Sequence, residues 1–187
     1  MENHIVRLEA LENIIPNELI IAFIARDRPG VVEQVAEIVA EHGGNWLESR
    51  MAHLAETFTG VVRISLPDTH VANLKNAFTA LEEDGFQIMV QDAGAAKTVD
   101  TPLLAFEIIG PDQPGILHEL TRTIAKLGAS VEEMETRIDS APVSGEKLFA
   151  ADTKVRLPEG LSEEAFQDAL ENSANALFVD LVIVDED

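Results

Sequence analysis

The sequence predicts an α+β fold made of two tandem βαββαβ units, and three observations carry that reading. A strand, a turn and a striped helix are written twice, as "IIAFIARDRPGVVEQVAEIVAEHGGNW" and again as "LLAFEIIGPDQPGILHELTRTIAKLGAS". Setting Asp27 on Asp112, a shift of 112 − 27 = 85, also sets Pro29 on Pro114 and Gly30 on Gly115. Under the same shift Val31, Val32, Val35 and Val39 meet Ile116, Leu117, Leu120 and Ile124, apolar positions at helical spacing that predict one buried stripe in each copy.

The elements follow in order. Each first helix runs into a glycine, Gly43 or Gly128, where positive φ can end it. In the first copy "NWLESRMAHLA" and "FTGVVRISLP" read as strands, "FTALEEDG" lies inside a second helix and "FQIMVQD" is the last strand. The second copy gives strands "SVEEMETRID" and "KLFAADTKVRLP", helix "SEEAFQDALENS" and last strand "ALFVDLVIV". Pro158 and Pro67 are 158 − 67 = 91 apart, so the second copy has gained 91 − 85 = 6 residues between its second and third strands; "SAPVSGE", with Pro142 and Gly145, is that insertion and reads as a hairpin loop. Two helices covering one face of a four-stranded antiparallel sheet is the split βαβ pattern, a ferredoxin-like unit, and it occurs twice. The predicted organisation is an N-terminal extension over 1–17, a first domain over 18–93, a linker over 94–101 within "DAGAAKTVDTP", and a second domain over 102–187. In the extension Ile5, Leu8, Leu11 and Ile15 sit at helical spacing, which predicts a short packed helix ended by Pro16. Trp46, Met51 and Met134 are expected to pack in the core or at a seam.

Composition narrows function by exclusion. The 187 residues are 46% apolar, enough for compact cores. Thirteen basic and 34 acidic side chains leave a charge of −21, which repels a phosphate backbone and argues against direct nucleic-acid binding. With no cysteine there is no disulfide framework, thiolate nucleophile or cysteine zinc site. The longest apolar run, Leu19 to Ala25, is far short of a membrane span, and Met1 to Asn17 lacks a signal-peptide core, so the expected location is the cytoplasm.

The Asp-x-Pro-Gly turn is where chemistry is expected. Proline presets φ for a first helical residue and an aspartate two residues earlier can cap free amides, so the turn reads first as a well-built helix start. It also reads as a carboxylate receptor, because a helix N-terminus presents unpaired N–H groups and partial positive charge, and glycine lets a ligand approach. Asn45 opens the following strand, and the topology is expected to set it beside the turn, where its amide could grip both ends of an amino acid or simply serve a turn; its counterpart is Ser130. The candidate ligand-binding residues are therefore Asp27, Arg28, Pro29, Gly30, Val31 and Asn45, with Asp112, Gln113, Pro114, Gly115, Ile116 and Ser130 in the second copy.

The paired DxPG turns, the glycine closing each first helix, Asn45 and the "APVSGEKLFAA" hairpin resemble tandem ACT domains, and in particular the glycine cleavage system transcriptional repressor family, over about Glu18 to Asp187. The resemblance implies a non-enzymatic regulator that senses a small amino acid, glycine or serine, in the seams between ACT domains. It further implies action on a transcriptional activator by protein contact rather than on DNA. A homodimer is expected on separate grounds, since two copies can pair internally and a second chain would satisfy any remaining sheet edge. Ser130 in place of a second asparagine departs from the pattern, as does the length of the N-terminal segment.

Other chemistry lacks signatures. His4, His42, His53, His70 and His118 form no HExxH or i, i+4 pair, so no metal is expected, and GxxxxGK[ST], GxGxxG and GxSxG are absent, so neither cofactor nor catalytic residue is assigned. The 140–146 loop reads as a flexible hairpin tip or as a lid or docking loop. Two alternatives stand beside the sensor: a regulatory module of an amino-acid enzyme such as phosphoserine phosphatase, and a structural interaction protein with empty turns.

Overall fold

A computed structural model of the protein describes residues 16–94, 101–142 and 144–184, the side chain of Pro16 aside. The chain divides into two compact units. In the first, β1 (Pro16–Arg26), α1 (Val31–Glu41), β2 (Asn45–Leu54), β3 (Thr57–Pro67), α2 (Val71–Ala80) and β4 (Gln87–Asp92) follow one another. Its sheet has the order β2-β3-β1-β4 and is antiparallel throughout. The second repeats this with β5 (Leu103–Pro111), α3 (Ile116–Lys126), β6 (Ser130–Ser140), β7 (Lys147–Arg156), α4 (Glu163–Leu177) and β8 (Asp180–Val184), in the order β6-β7-β5-β8. Both units are the predicted ferredoxin-like βαββαβ pattern.

Alternation along the central strands explains why the helices cover one face. Leu19, Ile21, Phe23 and Ala25 of β1 are buried with Val31, Val35 and Val39 of α1 and Leu74 and Phe78 of α2. Leu104, Phe106 and Ile108 of β5 are buried with Ile116, Leu120 and Ile124 of α3 and Phe166 and Leu170 of α4. Two members of the expected stripe are outside it. Val32 and Leu117, each one residue past a buried position, are 38% and 39% exposed, because a step of 100° carries them off the covered face. Trp46, Met51 and Met134 pack against their own unit's core.

The boundaries differ from expectation in places. β1 begins at Pro16, which pairs with Pro67, so Pro16 and Asn17 are strand residues rather than extension. The helix expected in the extension lies outside the described residues. The last strand of the second unit, expected from Ala176, begins at Asp180, because α4 continues to Leu177. The helix is started by Ser162, whose hydroxyl accepts from the Ala165 amide at 3.2 Å, and Phe166, Leu170 and Ala174 sustain its buried face. The hairpin between β2 and β3 turns through Ala55–Glu56 alone. Its counterpart carries one further strand pair, Ser140 with Lys147, and its tip is closed by Ala141 N–H donating to Glu146 O at 2.8 Å. The six inserted residues are thus a longer hairpin.

Candidate functional site

In each unit the turn after the central strand passes directly into a helix whose first cap is glycine. Gly30 has φ 92° and ψ −2°, Gly115 φ 98° and ψ −6°, both left-handed, and no side chain caps either helix. Aspartate is therefore not the cap, and proline sits before the cap instead of inside the helix. The reason is geometric: helical dihedrals begin only at Val31 and Ile116, one residue after each glycine.

The first intrahelical bonds run from Gln34 N–H to Gly30 O and from Glu119 N–H to Gly115 O, both 3.0 Å. The amides of the second and third helical residues, Val32 and Glu33, Leu117 and His118, precede those bonds and point out of the helix start. An added Cβ at Gly115 would meet nothing within 4 Å, and at Gly30 only Glu33 Oε2 at 3.7 Å, so the approach over each glycine is open. This is an arrangement that can receive a carboxylate.

The aspartates work on the neighbouring hairpin. Asp27 N–H donates to Glu56 O at 2.9 Å, and Asp112 N–H to Lys147 O at 3.0 Å, so each turn is tied to the hairpin linking the second and third strands of its unit. The Asp27 carboxylate lies 3.4 Å from His53 Nε2, an ion pair only when that imidazole is protonated. Arg28 donates to Gln34 Oε1 at 2.9 Å, and its guanidinium carbon sits 5.8 Å from the centroid of the Phe86 ring. Its counterpart Gln113 instead donates through Nε2 to Leu177 O at 2.5 Å. The residue between aspartate and proline thus braces the corner between second helix and last strand in both units, by different chemistry.

Asn45 and Ser130 are not beside their own turns. Asn45 pairs with Ser65, which pairs with Glu18 at the start of β1, whereas the turn leaves the end of β1 beside Thr57 and Leu54. Nine residues of strand separate Asn45 from Leu54, roughly 30 Å at about 3.3 Å per residue. Ser130 pairs with Arg156 opposite Leu103, likewise at the far end from Asp112. Because α1 and α3 run back along the sheet, the strand after each helix starts where the first strand started. The turns instead gather His53, Glu56 and Phe86 in one unit and Leu177 in the other. Pairing the two hairpin strands of each unit backwards from their loop would have identified the hairpin residues.

Two cavities lie outside the turns. One of about 310 Å³ opens beside the first turn among Ile24, Arg26, Glu56, Thr57, Gly85 and Gln87, with Arg26 and Glu56 paired at 3.5 Å. Another, of about 410 Å³, lies over the second sheet between Ala105, Glu133, Glu135, Asp152, Lys154 and Val184. On that sheet Arg137 donates to Glu107, Asp139 and Asp152, and these bonds, Glu107 first, raise its pKa above the ordinary arginine value and hold its charge. Among the described residues no group of three or more histidine or carboxylate side chains is placed to hold a metal ion, and no helix is long and apolar enough to cross a membrane.

Comparison with known proteins agrees with this architecture. Residues 17–91 match the family model of the ACT domain. A protein described as unknown from Galdieria sulphuraria shares the fold with a TM-score of 0.76 and 28% identity, over 92% of this chain and 99% of that one. A proposed glycine cleavage system transcriptional repressor shares it with a TM-score of 0.70 and 17% identity, over 91% and 97%. No curated protein matches the chain.

Proposed function

We propose that this chain, whose first unit matches the ACT domain and whose second repeats its fold, is a non-enzymatic amino-acid sensor that regulates through protein contact. The observation that carries the reading is the pair of equivalent helix starts, each opening on a left-handed glycine with no side-chain cap. A carboxylate is the ligand group that such amides favour. In the first unit the Asp27 carboxylate, 3.4 Å from His53 Nε2, stands at the turn to take an ammonium. Glycine or serine is the amino acid proposed, a choice supported by the likeness in fold to the proposed glycine cleavage repressor.

The finer reading, supported by the likeness in fold to the proposed repressor, is that the regulated partner is a transcriptional activator of the glycine cleavage system. The charge of −21 suits a protein that leaves DNA to its partner. A homodimer in the cytoplasm completes the proposal. Titration calorimetry with glycine, serine and leucine tests the sensing step: saturable heat with the first two and none with leucine is expected, and no heat from any at millimolar concentration defeats it.

A further inference from the structure

Among the described residues, four helical segments close in the same way, and one of them uses a residue ill suited to it. In each, a residue one or two places past the helix, or past the short helical turn Leu81–Asp84 that follows α2, adopts left-handed dihedrals while the next amide reaches back five residues: Gly44 N–H to Val39 O at 2.8 Å, Phe86 N–H to Leu81 O at 3.2 Å, Ala129 N–H to Ile124 O at 3.2 Å, and Val179 N–H to Ala174 O at 3.1 Å. The left-handed residues are Gly43, Gly85, Gly128 and Phe178. Glycine takes this conformation freely; a bulky side chain is strained in it. Phe178 has φ 57° and ψ 39°, and the residue is 82% exposed, so packing does not offset the strain. Its counterpart in the first unit is Gly85, where the following Phe86 is buried.

We infer that Phe178 is an anchor for a protein partner whose contacting surface is basic around an apolar pocket. An aromatic ring on a fixed corner has the character of an interface hot spot, with large apolar area and little freedom to lose. Gln113 holds that corner by donating to the carbonyl of Leu177, the residue before the ring. Gln113 belongs to the second Asp-x-Pro-Gly turn, so the anchor is fastened to the proposed ligand site. Charge selects the partner. Exposed Asp112 and Asp180 lie next to Gln113 and two residues beyond Phe178, on a chain of net charge −21. A second copy or an anionic membrane would meet these carboxylates with like charge.

The inference rests on the reading that the chain acts through protein contact, but not on which amino acid it senses. The test places a benzoylphenylalanine photo-crosslinker at position 178 of the full chain in cells, with the same group at Leu54, which is 79% exposed in the other unit, as control. A protein captured at 178 and not at 54 is identified, purified and titrated against the wild type, Phe178→Gly and Phe178→Trp. The expected result is a basic-faced protein that binds Phe178→Gly about tenfold or more weakly and Phe178→Trp nearly as well as the wild type. Phe178→Gly should meanwhile raise the unfolding midpoint by roughly 4 °C, since strain is relieved. Capture no greater than at Leu54, capture only of a second copy, equal affinity of the glycine variant, or a lowered midpoint would each overturn the inference. Calorimetry with glycine on Phe178→Gly keeps the two readings apart: sensing survives if that heat is unchanged, whatever becomes of the partner.

Discussion

At the scale of single residues the turns depend on backbone conformation more than on side-chain chemistry. Gly30→Ala and Gly115→Ala place a Cβ on left-handed backbone where space is open, so strain alone should destabilise each unit by about 1 kcal/mol, read from urea midpoints. Thr153 presents the opposite case. It is 3% exposed and its hydroxyl has no hydrogen-bond partner among the described residues, and the side chains of its cross-strand neighbours Phe106 and Met134 are apolar. Thr153→Val keeps the shape and removes the unpaired group, so it should stabilise the second unit by roughly 1 kcal/mol in the same assay. Gly60 stands against Phe23, whose ring carbons would lie 2.7 Å from an added Cβ, so Gly60→Ala should cost about 1–3 kcal/mol through overpacking.

At the scale of elements, what was legible followed from periodicity and what was missed followed from geometry. The two βαββαβ orders, the buried valine and isoleucine positions of α1 and α3, and the glycines that end those helices were all readable because period and turn chemistry are local signals. The end of α4 was not: Ala176 and Leu177 are strong helix formers, and the helix begun at Ser162 runs through them before the strand-favouring "FVDLVIV" takes over. Ser162→Ala should therefore cost about 1 kcal/mol by removing the one side-chain cap seen at a helix start among the described residues. The position of Asn45 follows from strand register, not from its closeness to the helix in the chain. An antiparallel hairpin of ten-residue strands returns its far end to the turn, which brings His53 and Glu56 there and leaves Asn45 roughly 30 Å away. The brace from Gln113 to Leu177 and the strained Phe178 were beyond sequence, because both depend on where α4 stops.

For the whole molecule, charge and duplication set the behaviour. A net charge of −21 makes the chain repel itself at low ionic strength, so raising salt from about 10 mM to about 150 mM, which shortens the screening length from roughly 30 Å to roughly 8 Å, should raise the melting midpoint. The same charge predicts no DNA footprint from the pure protein near physiological salt. Duplication gives two helix starts of one design with unlike neighbours, Arg28 over Phe86 in one and Gln113 on Leu177 in the other, so two sites of unequal affinity are expected. The central claim, that these helix starts are the receptor, is tested most directly by calorimetric titration of glycine into the wild type, Gly30→Ala, Gly115→Ala and the double variant. The account predicts saturable heat that each single change reduces and the double change abolishes, with all four proteins folded by circular dichroism. Undiminished glycine binding by the folded double variant would contradict it.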